Sequence, residues 1–412
     1  MPARSEAIPV PGSRVAVVGA GLAGLLTAAL LARQYRVTLY EASGDRAGRV
    51  VDVTLDGQSC VVDVALPMFC AASPKLKALL ASQRVETRDC AATLGVSIDA
   101  GRLEWGDPGH RFAQRRLLLS PGYLRLLADV RRFRRHADTL LLDAIVTRYS
   151  VNRLLAQAGY GTAFRDGYLR PLAAALWQAP HIDFAGLPAA VLLRRFIDHE
   201  RLGRRWCSVV TPGWQTVLAG GMDDFRAATP VLAVRREPLG VLIETAGQVD
   251  RVDAAVMALK SPQHLLVDAD SAETAALAAL GFRAASFCLH SDRRLLPRRR
   301  AVWSVANWLQ RRDGAACLSL DLNRLQALPF RTPLLLSIDP LVAPARMICS
   351  VERRLPVLDH AGRQAQAEVD ALQGHRATWY AGAWTGDGLA EDAIVSALRI
   401  AAAFGTSPDW DR

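Results

Sequence analysis

The first clear hydrophobic pattern along the chain is the stretch VAVVGAGLAGLLTAALLARQYRVTLYEA, residues 15–42. The apolar run Val15–Val18 predicts a buried strand, and the glycine cluster at 19–24 predicts a tight turn. The Ala/Leu-rich residues 25–33 predict a helix, and residues 37–40 predict a second strand. The order strand, turn, helix, strand is typical of a βαβ unit in a parallel sheet.

Later segments show either strand-like or helix-like patterns. Residues 49–65 alternate between apolar and polar positions, which predicts β-structure, and residues 230–259 are again β-rich. Helical patterning dominates residues 75–201, with breaks at prolines, and mixed segments fill 261–359. Residues 377–404 predict a strand, a glycine-rich turn and a helix. Two glycine-rich turns therefore lie near opposite ends of the chain.

The first glycine turn has the spacing GxGxxG at Gly19, Gly21 and Gly24. Gly19 permits the tight turn, Gly21 lets backbone approach a pyrophosphate, and Gly24 lets the helix pack close to the sheet. The amides of Leu22 and Ala23 would then meet the phosphates at a helix N-terminus. A purely structural glycine turn is the alternative.

An acid follows the turn at the distance that dinucleotide binding requires. Glu41 ends the second strand 22 residues after Gly19, where its carboxylate can accept hydrogen bonds from ribose hydroxyls, with Ala42 beside it. An acid at this position disfavours a 2′-phosphate, so NADP is not expected here.

The second glycine turn, in WYAGAWTGDGLAEDAIVSALRIAAA (379–403), resembles the C-terminal FAD signature of the flavin amine oxidase and phytoene desaturase-like superfamily. This resemblance implies FAD as the cofactor. A helix starting near Glu391 would direct its positive end at the flavin ring. The cofactor-binding positions expected in this motif are Gly382, Gly388, Glu391, Asp392 and Ala393.

Two further stretches support the same resemblance. In EASGDRAGRVVDV, Arg46, Gly48 and Arg49 match a phosphate-binding loop, although Ala47 replaces a usual glycine and Arg46 lies one place late. Arg49 has a solvated surface arginine as its alternative role. TPVLAV resembles the strand that binds adenine through its backbone, and Val231 is the position expected to do so.

The middle of the chain resembles a bacterial subgroup of amine-oxidase-like NAD/FAD-binding proteins often encoded near cyclopropane-fatty-acid-type methyltransferases. The matching stretches are HRFAQRRLLLSPGYLRLLADVRRFRR, AFRDGYLRPLAAALWQAP, FCLHSDRRLLPRRRAVWSVANW and RLPVLD. The subgroup usually has Gly-Tyr-Gly-Phe-His-Glu-Asp near the flavin, where this chain has GDGLAED at 386–392. The loss of an aromatic residue and a histidine, and the gain of an acid, argue for a specialised substrate.

These observations predict an α/β fold with a discontinuous Rossmann-like FAD-binding domain of the GxGxxG type and an inserted α+β substrate-binding domain. The FAD-binding domain is expected to comprise residues 1–72, 205–260 and 375–412. The substrate-binding domain is expected to comprise residues 73–204 and 261–374.

Three residues are candidates for chemistry beside the flavin. Asp387 could pair with a cationic substrate or act as a base, and a turn residue between glycines is the alternative. Trp384 could form a wall of the pocket or pack beneath the cofactor. Lys260, one of three lysines in the chain, could take part as a lysine near the flavin does in some amine oxidases.

Five residues in the family-like segments are candidates for the substrate pocket. Core packing is the alternative for each of them, and for the histidine a satisfied structural role. They are Trp177, His290, Trp303, Asn307 and Trp308.

Composition narrows the possible partners. The chain has 412 residues, a net charge of +10 and seven scattered cysteines without a CxxC pair. No zinc-finger or RNA-binding pattern supports nucleic acid, and histidines and cysteines lack metal-ligand spacing, so neither partner is expected. A basic amphipathic stretch at 123–133 permits contact with a membrane surface, but a domain helix with a solvated face is the favoured interpretation. The cysteines and the absence of a signal-peptide pattern predict a cytoplasmic protein.

The predicted function is an FAD-dependent oxidoreductase. It would transfer a hydride from a C–N or C–C bond of a small-molecule substrate to flavin N5. Oxygen or another electron acceptor would reoxidise the flavin, and the reaction would belong to a biosynthetic pathway. The alternatives are a redox-neutral flavin isomerase or cyclase, a lipid acyl desaturase, and an inactive flavin-fold binding protein.

Overall fold

The fold is taken from a computed structural model that describes residues 8–44, 50–107, 109, 113–220, 222 and 224–411. The strands are β1 Arg14–Val18, β2 Arg36–Tyr40, β3 Val50–Leu55, β4 Gln58–Asp63, β5 Phe69–Cys70, β6 Thr87–Ala91, β7 Leu94–Ile98, β8 Leu103–Asp107, β9 Arg205–Val209, β10 Asp224–Arg226, β11 Val231–Glu237, β12 Gly240–Thr245, β13 Val249–Val252, β14 Ala254–Met257, β15 Phe282–His290, β16 Ala306–Gln310, β17 Ala316–Asp321, β18 Leu335–Ile338, β19 Met347–Pro356 and β20 Thr378–Tyr380. The α-helices are α1 Leu22–Leu31, α2 Pro74–Ser82, α3 Pro121–Thr147, α4 Val151–Gln157, α5 Thr162–Phe164, α6 Arg170–Trp177, α7 Ala189–Arg201, α8 Thr216–Ala219, α9 Ser271–Ala278, α10 Leu322–Gln326, α11 His360–Ala371 and α12 Ala390–Ala403.

A five-stranded parallel sheet brings the two ends of the chain together. Its order is β10-β2-β1-β14-β20, so β1 pairs with β2 and β14, and β14 pairs with β20. Val15 and Val17 enter the core on one face, and Ala16 and Val18 enter the core on the other. Burial of both faces explains why this strand is a continuous apolar run. The predicted βαβ unit and α/β fold are confirmed.

A seven-stranded mixed sheet, β19-β15-β18-β17-β16-β7-β8, forms the second layer of the molecule. One of its faces shares a hydrophobic core with helices α3 to α7. Three smaller sheets complete the β-structure of the described residues: β11-β12-β13, β3-β4 and β5-β9-β6.

The prediction of mainly helical structure over residues 75–201 is wrong for residues 87–107, which form β6, β7 and β8. The Arg102 amide donates to the carbonyl of Asp99 at 3.0 Å, so the hairpin between β7 and β8 turns at Ala100 and Gly101, both with positive φ. This is the turn geometry that matches the twist of two paired strands. Positive φ is unusual for an alanine, so the pattern did not signal the turn.

The domain boundaries remain a prediction, and two helices assigned to the substrate-binding domain pack against the parallel sheet of the other predicted domain. Helices α9 and α11 contribute Ala276, Leu277 and Val369 to the core on one face of the parallel sheet. Both helices lie in segments that the sequence assigned to the substrate-binding domain.

The basic stretch at 123–133 lies within the long helix α3. Tyr123, Leu126, Val130 and Phe133 are buried in the core, whereas Leu124 is 46% exposed. The helix is therefore a packed domain element with a solvated face. No helix among the described residues combines the length and apolarity needed to cross a bilayer.

Candidate functional site

The first glycine turn is tight against the protein on one side and open on the other. Gly19 has φ +105°, and a Cβ there would lie 2.7 Å from the carbonyl oxygen of Ala258. A Cβ on Gly24 would lie 1.9 Å from the carbonyl oxygen of Gly19, so the helix packs directly on the turn. A Cβ on Gly21, which caps α1, would meet no atom within 4 Å. Open space at this one glycine is the geometry of a backbone cradle for a ligand.

Glu41 lies beside this turn at the end of β2. One of its carboxylate oxygens accepts a hydrogen bond from the Ala20 amide at 2.7 Å, and the other accepts from the amide and hydroxyl of Ser43 at 2.9 Å. The neighbouring Ala42 is exposed. The carboxylate is thus held against the turn by local hydrogen bonds.

The second glycine turn connects β20 to α12 and is fixed by packing. Gly382 has φ +153°, and a Cβ there would lie 2.5 Å from Nε1 of Trp384. Trp384 is buried, and its indole donates a hydrogen bond to the carbonyl of Leu259 at 2.9 Å. From α11, the Gln366 amide donates to the carbonyls of Trp384 and Gly386. Trp384 therefore ties the C-terminal turn to the segment that follows β14.

Two acids begin α12, and both are occupied by backbone amides. The carboxylate of Glu391 accepts hydrogen bonds from the amides of Lys75 at 2.9 Å and Leu76 at 2.8 Å, and so caps α2. Asp392 accepts from the Leu389 amide at 2.9 Å. Burial, and then the nearby charge of Asp387, raise the pKa of Asp392 to about 6. Glu391 consequently joins the first turn of α2 to the first turn of α12, next to the cavity.

Asp387 forms an ion pair with Arg363 of α11. The side chain of Asp387 is one-third exposed, and the residue does not line the cavity described below. A carboxylate neutralised in this way is a poor general base. The structure therefore provides a structural partner for the candidate base.

A cavity of about 660 Å³ extends between the two glycine turns. This volume lies in the range of small-molecule and cofactor sites. The sequence-predicted residues that line the cavity are Gly21, Leu22, Ala23, Glu41, Trp177, Lys260, Gly382, Trp384, Gly388, Glu391 and Ala393. Gly19, Gly24, Ala42, Val231, Asp387, Asp392, His290, Trp303, Asn307 and Trp308 are not in the lining, and Arg46, Gly48 and Arg49 lie outside the described residues.

The four remaining candidates for the substrate pocket belong to the seven-stranded sheet and the segment that covers it. His290 is fully buried, with Nε2 2.8 Å from the Ser337 hydroxyl and Nδ1 accepting from the Asp292 amide at 3.0 Å. Burial lowers the pKa of His290 to about 4, so it stays neutral. Asn307 and Trp308 are also fully buried, and Trp303 donates to the carbonyl of Pro297 at 2.7 Å. These contacts support structural roles.

Val231 pairs with Thr245 in the three-stranded sheet. The segment in contact with Glu41 lies slightly earlier in the chain. There, the Glu41 amide donates to the carbonyl of Arg226, and the Thr229 amide donates to the carbonyl of Glu41. The residues that contact the backbone of Glu41 thus lie a few positions before Val231.

The far wall of the cavity contains residues that sequence reasoning missed. They come from β5, α7, β9, β15, β19 and two loops, and they share only their position around the cavity: Met68, Phe69, Cys70, Arg195, Trp206, Gln215, Phe282, Phe287 and Arg353. Two of these side chains have a buried polar atom without a hydrogen-bond partner, namely Oε1 of Gln215 and Nε of Arg195. No local spacing in the sequence distinguishes them from core residues.

A second cluster of charges supports β20 away from the cavity. Asp270, Glu273 and His375 place ligand atoms within 4.8 Å of one another. Arg236 forms two 2.8 Å hydrogen bonds to Glu273, and the Tyr380 hydroxyl donates to the same carboxylate at 2.9 Å. Because these donors satisfy Glu273, its buried ion pair with Arg236 anchors the strand leading to the second glycine turn, whereas His375 and Asp270 are partly exposed.

The cavity lies between the two glycine turns of an α/β fold whose parallel sheet joins the chain ends. The family of NAD(P)-binding Rossmann-like domains matches residues 17–82. A search of curated protein sequences finds no match.

Solved structures resemble almost the whole chain. A fatty acid isomerase from P. acnes that produces CLA has 15% identity and a TM-score of 0.65, covering 95% of this chain and 98% of its own. Cyclohexylamine oxidase from Brevibacterium oxydans IH-35A has 16% identity and a TM-score of 0.66, with 96% and 99% covered. Putrescine oxidase bound to putrescine has 13% identity and a TM-score of 0.67, also with 96% and 99% covered. The chain therefore shares the overall fold of these structures over almost its whole length.

Proposed function

We propose that the protein is an FAD-dependent oxidoreductase that takes a hydride from a C–N or C–C bond of a small-molecule substrate. The observation that carries this proposal is the single cavity lined at one end by the open turn at Gly21 and at the other by the start of α12. A long dinucleotide needs both a pyrophosphate cradle and a second contact far from it.

The residues around the cavity fit FAD. Amides of Gly21, Leu22 and Ala23 would hold the pyrophosphate, and Glu41 would accept hydrogen bonds from the ribose. The unpartnered Oε1 of Gln215 provides a polar contact on the opposite wall. FAD, when bound, supplies the hydride acceptor.

The chain's own residues would orient the substrate and exclude water. Trp177 and Trp206 are 7% and 2% exposed and form part of the cavity wall together with Phe287. Trp384 acts by positioning, because its indole is committed to the Leu259 carbonyl. Lys260 lines the cavity and stays a candidate for proton transfer, whereas the ion pair of Asp387 with Arg363 disfavours a role as base.

The experiment is to purify the protein and measure bound flavin by absorbance and mass spectrometry. Anaerobic addition of amines, amino acids and acyl lipids should bleach the flavin absorbance with at least one substrate class. Oxygen is then readmitted and hydrogen peroxide is measured, because its formation would identify oxygen as the electron acceptor. A protein that takes up no FAD from added cofactor would contradict the proposal and favour a binding protein of the same fold.

A redox-neutral flavin reaction is the second candidate. It is favoured by the likeness to a fatty acid isomerase and by the apolar wall of the cavity. Product formation without peroxide and without accumulated bleaching would assign isomerisation in place of net oxidation. A cytoplasmic location and a biosynthetic role remain part of the proposal.

A further inference from the structure

One cation on the cavity wall forms no direct ion pair among the described residues. Arg195 lies on α7 and is half-buried, and its Nε is fully enclosed without a hydrogen-bond partner. In the part of the chain that the structure describes, no carboxylate oxygen lies within 4.0 Å of its nitrogens. A guanidinium held in a protein wall is costly unless an anion compensates it.

The other charged groups on this wall are paired or exposed. Glu41 and Glu391 accept hydrogen bonds from backbone amides, as described above. Arg353 donates to the backbone carbonyls of Val64 and Ala65 and lies over the ring of Phe287. Glu352, a potential site for a cation, is exposed. Arg195 is thus the half-buried cation of this wall without a direct ion pair, and the charge of Asp392 acts on it only from beyond 4.0 Å.

The surroundings of Arg195 are apolar and electropositive. One turn along α7, the ring of His199 lies 6.2 Å from the ring of Trp206, which lines the cavity. Burial, and then the charges of Arg204 and Arg195, lower the pKa of His199 to about 4, so the histidine is neutral. Weak solvation makes an ionic contact stronger here than at the surface.

We propose that Arg195 binds the carboxylate of the substrate, and that the substrate is an organic acid with an apolar body. The planar guanidinium matches a carboxylate through two parallel hydrogen bonds, and the aromatic and aliphatic wall accepts the body. This inference rests on the proposed function, because it names the substrate class for the same cavity. Arg195 is a specificity-determining residue in this role.

Calorimetry on the FAD-loaded protein tests the inference with octanoate, octylamine and octanol, which share one alkyl body. Phenylacetate and phenethylamine repeat the comparison with an aromatic body. We expect the acids to bind about tenfold to a hundredfold more tightly than the amines and the alcohol. Arg195→Gln should abolish that preference, and Arg195→Lys should retain part of it.

Arg194 provides the matched control because it is the adjacent arginine on the same helix and is exposed. Arg194→Gln should leave the preference for acids unchanged. Glu352→Gln tests the opposite charge at the exposed edge of the cavity. Amine binding that depends on Glu352 would overturn the inference, as would equal binding of acids and amines.

The phosphate groups of FAD are the other source of an anion for Arg195. If Arg195→Gln reduces affinity for FAD while leaving octanoate and phenylacetate affinity unchanged, Arg195 belongs to the cofactor site and the inference is wrong. Failure of the protein to bind FAD would contradict the proposed function. The same titrations without cofactor would then still measure the preference of Arg195 for a carboxylate.

Discussion

The two ends of the cavity are built in different ways. At the proposed nucleotide end, the backbone of one short turn forms the wall, and three glycines within six residues set its shape. At the far end, side chains from α6, α7, β9, β15 and β19 meet, including Trp177, Arg195 and Trp206. The first end depends on the absence of side chains, and the second depends on their identity. The comparison teaches that the proposed cofactor cradle depends on backbone geometry, whereas the properties of the opposite wall depend on which side chains form it.

Gly24→Ala should have the largest effect, because it disrupts the packing of helix α1 on the first glycine turn. The new Cβ would lie 1.9 Å from the backbone oxygen of Gly19. Because that oxygen belongs to the backbone, the clash cannot be relieved by rotation of a side chain. We expect the free energy of unfolding to fall by about 3 kcal/mol or more, measured by urea denaturation without cofactor. Unchanged stability would mean that helix α1 does not pack on the turn as closely as described.

Gly21→Ala separates cofactor binding from folding at the same turn. Gly21 has φ −67° and ψ 172°, which alanine adopts readily, and its Cβ would enter open space. We expect stability without cofactor to change by no more than about 1 kcal/mol and affinity for FAD to fall about tenfold or more. Fluorescence titration of FAD measures the affinity. Wild-type affinity would contradict the cradle at Gly21.

The difference between the two ends also explains what the sequence could predict. The order β1, turn, α1, β2 is local, so spacing alone located Gly19, Gly21, Gly24 and Glu41. The family resemblance located the second turn, where Gly382 and Gly388 line the cavity. The substrate wall joins segments far apart in the chain, and a buried tryptophan there has the same local pattern as one in the core. Trp177 lines the cavity whereas Trp308 is fully buried in the sheet, and only tertiary packing separates them.

Polar partners were equally hidden from the sequence. Asp387 lies between two glycines beside the flavin motif, but its charge is matched by Arg363, 24 residues earlier on α11. Glu391 was expected to contact the cofactor, but its carboxylate caps a helix that begins 317 residues earlier, at Pro74. Hydrogen bonds over such separations leave no periodic signal.

Glu391→Ala sharpens the distinction between cofactor contact and helix capping. Loss of two hydrogen bonds to the first turn of α2 should lower the free energy of unfolding by about 2 kcal/mol. Glu391→Gln keeps one acceptor oxygen and should recover about half of that loss. Denaturation without FAD measures both variants. If FAD affinity falls sharply while stability without cofactor is unchanged, Glu391 serves the cofactor instead of α2.

Asp392→Asn should have the smallest effect, and this effect should appear in how the free energy of unfolding depends on pH. The pKa of Asp392 is raised from 3.8 to about 6 in the folded protein, so the native state binds a proton between pH 4 and 6 that the unfolded chain has released. This contribution to stability is fully present below pH 4 and is lost as pH rises through 6. Asparagine keeps an acceptor for the Leu389 amide without the charge.

The expected result is that Asp392→Asn gains about 1–2 kcal/mol relative to the wild type when the pH is raised from 5 to 7. Denaturation of both proteins at each pH measures this difference. Two buried histidines, His199 and His290, also respond to pH because their pKa values are lowered to about 4, but they are present in both proteins and cancel. Asp143→Asn, which alters an exposed carboxylate on α3, is the matched control and should follow the wild type. Parallel pH profiles for Asp392→Asn and the wild type would show that the start of α12 is more hydrated than its burial indicates.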